Sequence, residues 1–166
     1  RLLAIIYDYL GAAAQARGDH IAAAKAFRFS LDHAADRKKS LIGLGASLTA
    51  LGRIGEAARV FEYGIGLTPN DPVLHALLGQ AQIQQGNRRL AREALEGSVR
   101  SGSTEVEVYL LLGDLYREEG RRARAIELYT SLMRSNEGSL SEDEYLEISM
   151  RLEALGADSV SSGTPK

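Results

Sequence analysis

The chain has 166 residues, 45% hydrophobic and 25% charged, with a net charge of −2 and no cysteine. This describes one soluble globular domain able to bury roughly 70% of its unfolded surface. It excludes a disulfide framework and a Cys-ligated zinc, and no apolar run reaches the ~20 residues a membrane span needs.

The first residue is Arg1 rather than Met, as expected of a piece of a longer or processed polypeptide. A leader or lipid anchor upstream would therefore not show, and the compartment, cytoplasmic or periplasmic, is not legible. Arginine outnumbers lysine and Ala and Gly abound, a codon bias of GC-rich bacterial genomes. Residues 1–100 carry 13 Lys/Arg against 9 Asp/Glu, and residues 101–166 carry 7 against 13. Two differently charged surfaces follow, with no global field that would draw nucleic acid or membrane.

In chain order, the first predicted element is a helix pair over about 4–34. Tyr7, Leu10 and Ala14 share one face of its first helix. Gly18 makes the turn, Asp19 can cap the second helix, and Ala23, Phe27 and Leu31 line that helix. The same order returns every 34 residues. Leu10-Gly11 recurs as Leu44-Gly45, Leu78-Gly79 and Leu112-Gly113, and the turn glycine as Gly52, Gly86 and Gly120. Ala23 recurs as Ala57, Ala91 and Ala125, and Phe27 as Phe61, Leu95 and Tyr129.

The later pairs therefore cover about 38–68, 72–102 and 106–137. Asp71-Pro72 is an N-cap followed by proline at the first helical position, Asn87 can cap as Asp19 does, and Thr104/Glu107 and Ser141/Glu144 have capping-box spacing. A ninth amphipathic helix is expected over 141–156, with Tyr145, Ile148 and Leu152 on one face. Residues 157–166 read as a flexible polar tail. A mid-helix glycine costs about 1 kcal/mol relative to alanine, so its return four times calls for a packing reason: a side chain there would strike the partner helix.

These residues resemble the tetratricopeptide repeat (TPR) family, which has Leu-Gly, Gly, Ala, Phe and Pro at set places over 34 residues. The second unit fits best, with Leu44, Gly45, Gly52, Ala57, Phe61 and Pro69. The closing proline is replaced by Ala35, Ser103 and Glu137 elsewhere, and the tyrosine after Leu-Gly survives only as Tyr116. The resemblance implies an all-α, right-handed superhelix (α-solenoid) of antiparallel helix pairs. One domain would cover 1–156, with repeats at about 4–37, 38–71, 72–105 and 106–139 and a capping helix at 141–156 that covers the end of the stack.

It also implies a concave groove lined by the first helix of each repeat. The groove positions hold Ile5, Asp8, Ala12, Gln15 and Ala16 in the first repeat, and Lys39, Ile42, Ala46, Thr49 and Ala50 in the second. The third has Val73, Ala76, Gln80, Ile83 and Gln84, and the fourth has Glu107, Leu110, Asp114, Arg117 and Glu118. Small residues give depth, aliphatic ones give apolar contact, and Gln15, Thr49, Gln80 and Gln84 can bond a peptide backbone. In the family subclass that clamps a chaperone's C-terminal carboxylate, basic and amide side chains occupy places filled here by Asp8, Ala12, Val73 and Leu77. That ligand is therefore not expected.

Other chemistries find little support. Gly43-Leu44-Gly45 looks like the start of a dinucleotide-binding turn, but Leu48 stands where the third glycine would be and no strand precedes it. His20, His33 and His75 lack metal-ligand spacing. No nucleophile elbow exists, and the basic runs at 37–39 and 121–124 lack interleaved aromatics. The expected function is a non-enzymatic protein–protein interaction scaffold or adaptor without cofactor or metal. It would bind a peptide or helix of a partner protein within a larger bacterial assembly. The alternative is a dedicated chaperone for an export substrate, since the second unit is similar to class II chaperones of type III secretion. A homo-oligomer would use the terminal helices, with Tyr145 and Met150 as contact candidates.

Overall fold

The computed structural model describes residues 2–156, and the tail expected from 157 onward lies outside them. The described residues form helices α1 (Leu2–Ala16), α2 (His20–His33), α3 (Lys38–Ala50), α4 (Ile54–Leu67), α5 (Pro72–Gln84), α6 (Arg88–Arg100), α7 (Val106–Glu118), α8 (Arg122–Ser135) and α9 (Glu142–Ala154). The chain divides into two compact units, Arg1–Gly102 and Ser103–Lys166. No described helix is long and apolar enough to cross a membrane.

In the first unit, α1–α2, α3–α4 and α5–α6 pack as pairs, and α2 lies on α3 as α4 lies on α5. Its core runs through Ala23, Phe27, Leu44, Leu48, Ala57, Phe61 and Leu74, all buried. Each large second-helix residue enters the space left by a first-helix glycine. A β-carbon on Gly11 would lie 2.8 Å from the Phe27 ring, and one on Gly79 would lie 2.6 Å from Leu95. Gly45 stands still closer to Phe61. The repeated Leu-Gly is thus a slot for the partner helix, and the packing reason sought in the sequence is confirmed. Gly52 turns α3 into α4 at φ +72°, a left-handed backbone that a side chain disfavours. Gly64 is also a contact point, since its β-carbon would meet Leu74 at 2.9 Å.

The caps follow the sequence in part. Asp19 accepts from the Ala22 amide, and Asp71 accepts from the amides of Val73 and Leu74 ahead of Pro72. Asp71 also pairs with Lys38, so it joins the start of α3 to the start of α5. Replacing Asp71 with alanine should lower stability by about 1–2 kcal/mol, measurable by urea unfolding. Asn87 does not cap α6: its Nδ2 donates to Gln82 Oε1 at 2.9 Å instead.

In the second unit, α7 packs on α8 and α8 on α9. A β-carbon on Gly113 would strike the Tyr129 ring, which repeats the first unit's slot. The expected box at Thr104 and Glu107 is absent, because α7 begins one residue later with Glu105 as its N-cap. Ser141 and Glu144 do form a reciprocal capping box on α9. Helix α9 buries Ile148 and Leu152, while Tyr145, one turn earlier on the same face, is 48% exposed. The connection 136–141 is two residues longer than 34–37 or 68–71. Ile148 is buried as the sequence expects, while Leu146, 34 after Leu112, is 59% exposed.

Candidate functional site

In the first unit the candidate site lies on α1, α3 and α5. Ile5, Lys39, Ala46, Val73 and Gln84 are exposed, while Ala12, Ile42, Thr49, Ala76, Gln80 and Ile83 are half-buried. All of these residues are at least partly open to solvent.

Asp8, Gln15 and Thr49, among the predicted residues, bond within the protein. Asp8 is 1% exposed and is unavailable to a ligand. Its Oδ1 accepts from Ser30 Oγ at 2.7 Å and from Ser40 Oγ, and its Oδ2 accepts from Arg37 Nε at 2.8 Å and from Arg37 Nη2. Ser30 Oγ also lies 2.9 Å from the Ala4 carbonyl. One carboxylate thus joins α1, α2 and the start of α3. Burial pushes the Asp8 carboxyl upward, but the hydrogen bonds from Ser40, Ser30 and Arg37, together with the Arg37 charge, outweigh it and hold the group below the usual carboxylate range.

Gln15 Nε2 donates to the Gly43 carbonyl at 3.1 Å and to Ser47 Oγ at 3.0 Å, which ties α1 to α3. Thr49 Oγ1 donates to the Gly45 carbonyl at 3.0 Å within its own helix. These bonds stiffen the face rather than await a peptide.

Tyr9 was not among the predicted residues, yet Lys39 Nζ sits 5.2 Å from its ring centroid, a cation–π pair on exposed surface. Only the spatial meeting of α1 and α3 reveals it, because the two residues are 30 positions apart.

In the second unit, Glu107 and Arg117 of α7 are exposed and Leu110 is half-buried. Asp114 pairs with Arg117 at 3.1 Å and with Arg151 of α9 at 3.4 Å, so it also serves the unit's own packing. Buried Tyr129 has its pKa pushed up to about 12, by burial first and by Asp114 second. A cavity of about 500 Å³ bordered by Met133, Leu140, Tyr145 and Leu146, which the sequence did not announce, lies where α8 leads into α9. Met150 on α9 is exposed as well. Among the described residues, no three His, Asp or Glu side chains gather as metal ligands.

The tetratricopeptide repeat family profile matches residues 10–72 and 77–139, and a second tetratricopeptide repeat profile matches 48–102. The chain belongs to the tetratricopeptide repeat family. Several solved structures share the TPR fold. MamA is 22% identical with a TM-score of 0.76, and the match covers 93% of this chain and 84% of MamA. Pseudomonas aeruginosa pilF is 20% identical with a TM-score of 0.76, over 93% of this chain and 69% of that one. The TPR2B domain of yeast Sti1, in complex with pHsp70, is 21% identical with a TM-score of 0.65, over 71% of this chain and 99% of the domain. Comparison with curated protein sequences yields no match.

Proposed function

We propose that the chain is a non-enzymatic interaction scaffold that holds a peptide or helix of a partner protein on its first-helix face, within a larger bacterial assembly. The observation that carries this reading is the face of α1, α3 and α5. Ala12, Ala46 and Ala76 leave depth beside Ile5, Ile42, Val73 and Ile83, which suits a segment with a few apolar anchors. Gln80 and Gln84 would bond its backbone. Internal bonds from Gln15, Thr49 and Asp8 pre-organise the surface, which reduces the entropy lost on binding. On α7, Glu107, Leu110 and Arg117 would extend the contact. The pHsp70 complex of Sti1 shows this fold engaging a partner. Here the clamp positions hold buried Asp8 and the methyl of Ala12, so a terminal carboxylate is not the anchor.

The second reading, a dedicated export chaperone, rests on the second repeat's similarity to that class. It uses the same surface and differs in its client. The test is affinity capture from source-cell extract with mass spectrometry, comparing the native chain with Ala46→Arg/Gln80→Arg. Circular dichroism first establishes that the variant folds. Recovery of the partner should fall by roughly tenfold or more, and the partner's identity separates scaffold from chaperone. Unchanged capture would remove the first-helix face as the site.

A further inference from the structure

Helices α2 and α4 both pack on α3, and two adjoining hollows lie between them. One, of about 250 Å³, has the buried Leu41 and Leu48 of α3 at its base, the half-buried Leu31 and Val60 on its walls, and the exposed Arg28, Arg59 and Tyr63 at its mouth. The other, of about 210 Å³, is bordered by Ile21, Lys25, Leu51 and Arg53 and shares Arg28 with the first. From Ile21 to Leu31 the groove follows α2 for roughly 15 Å, the length of about five extended residues. Glu56 is the one carboxylate lining either hollow, and Arg53 already holds it with bonds of 2.6 and 2.7 Å. Arg28 and Arg59 make no ion pair among the described residues. The groove therefore carries an excess of cations above an apolar base.

The repeat supplies its own comparison. In the same places 34 residues on, Glu62 and Glu93 stand for Arg28 and Arg59, and His75 and Gln82 stand for Leu41 and Leu48. The stacking of repeats thus does not call for an apolar base under two arginines; only the groove between α2 and α4 has both. A preceding helix pair would lie on α1, as α2 lies on α3 and α4 on α5, and would leave this groove open.

We propose that the groove between α2 and α4 docks a short acidic segment of a partner protein, which sets one large apolar side chain between Leu31 and Val60 and its carboxylates against Arg28, Arg59 and Lys25. Charge complementarity selects this occupant. A basic or neutral segment would leave the cations unmatched, and a nucleic acid brings charge but no aliphatic group for the leucine base. The site is separate from the first-helix face and does not depend on what that face binds.

The probe is a blocked, fluorescein-labelled peptide of acidic residues around one central leucine, titrated with the whole chain and read by anisotropy. Binding should saturate at about millimolar chain or below and weaken severalfold between about 50 mM and about 500 mM salt. Arg28→Glu/Arg59→Glu should lower the affinity by about tenfold or more. Arg100→Glu/Arg134→Glu, which makes the same change of net charge at two exposed positions elsewhere, should change it by less than about twofold. Glycine in place of the peptide's leucine should weaken binding by about fivefold or more. Circular dichroism first establishes that both double variants fold. No binding, equal losses in the two double variants, or a leucine that makes no difference would each overturn the proposal. Binding lost in Ala46→Arg/Gln80→Arg and kept in Arg28→Glu/Arg59→Glu would overturn it by moving the segment to the first-helix face. Tighter binding of an oligonucleotide of equal charge would overturn it in favour of nucleic acid. Salt-sensitive self-association of the native chain that Arg28→Glu/Arg59→Glu abolishes, read by sedimentation, would overturn it in favour of a second copy.

Discussion

Replacing Gly45 with valine should lower the melting temperature by about 6–12 °C, the effect of roughly 3 kcal/mol on a chain of this size. The β-carbon alone would stand inside the contact distance of the Phe61 ring, and two further methyl groups add to the collision. Phe61 cannot step aside, because it is buried in the same core as Leu48, Ala57 and Leu74. Valine recovers a few tenths of a kcal/mol of helix propensity over glycine, far less than the overpacking takes. Gly66 is the control. It lies within α4, has no positive φ, and a β-carbon there meets nothing within 4 Å. Gly66→Ala should therefore raise stability by about 0.5–1 kcal/mol. Differential scanning calorimetry of the two variants beside the native chain measures both signs. A Gly45→Val chain that melts with the native one would show that the slot is not filled as described.

Asp8→Asn should cost about 2–3 kcal/mol at pH 7, a loss that fades only in acid. The amide keeps the shape of the carboxylate but removes its charge and turns one acceptor into a donor facing Arg37 or the serines. Arg37 is partly solvated, with 28% of its side chain exposed, so the estimate stays below that of a fully buried pair. The sign of the pH dependence follows from the lowered pKa of Asp8. Its stabilisation is complete above the ordinary aspartate value of about 3.9 and is lost as the pH falls through the lower folded-state value. The gap between native chain and variant, measured by urea unfolding, should hold from pH 7 to about 5 and close below about 4. A gap that persists unchanged into acid would assign the loss to shape rather than to charge.

Much of this molecule is legible in one dimension because a repeat states the same packing rule several times. Leu44-Gly45, Gly52, Ala57 and Phe61 each recur at a spacing of 34, and each recurrence narrows what the residue can be doing. Helix limits, the turn at Gly52, the cap at Asp71 and the slot beneath Phe61 all follow, since each depends on neighbours within one repeat. The candidate surface is only half legible. Its position follows from the family, but Asp8 is unreadable from the sequence, because its three partners come from α2, α3 and the start of α3. The same holds for Gln15, whose acceptors sit on α3, and for Asn87, which turned to Gln82 instead of capping α6.

The sequence by itself therefore determined the family, the helix pairs and the role of the Leu-Gly glycines, because periodic local packing writes itself into spacing. Tertiary structure alone decided which polar side chains stay open to solvent and which bind the helices together. It also decided that Leu146 of α9 stays exposed while Ile148 and Leu152 are buried. Such choices depend on distances between segments 20 or more residues apart, and burial sets the cost of leaving a polar group unpaired. Neither quantity is carried by the spacing of residues along the chain.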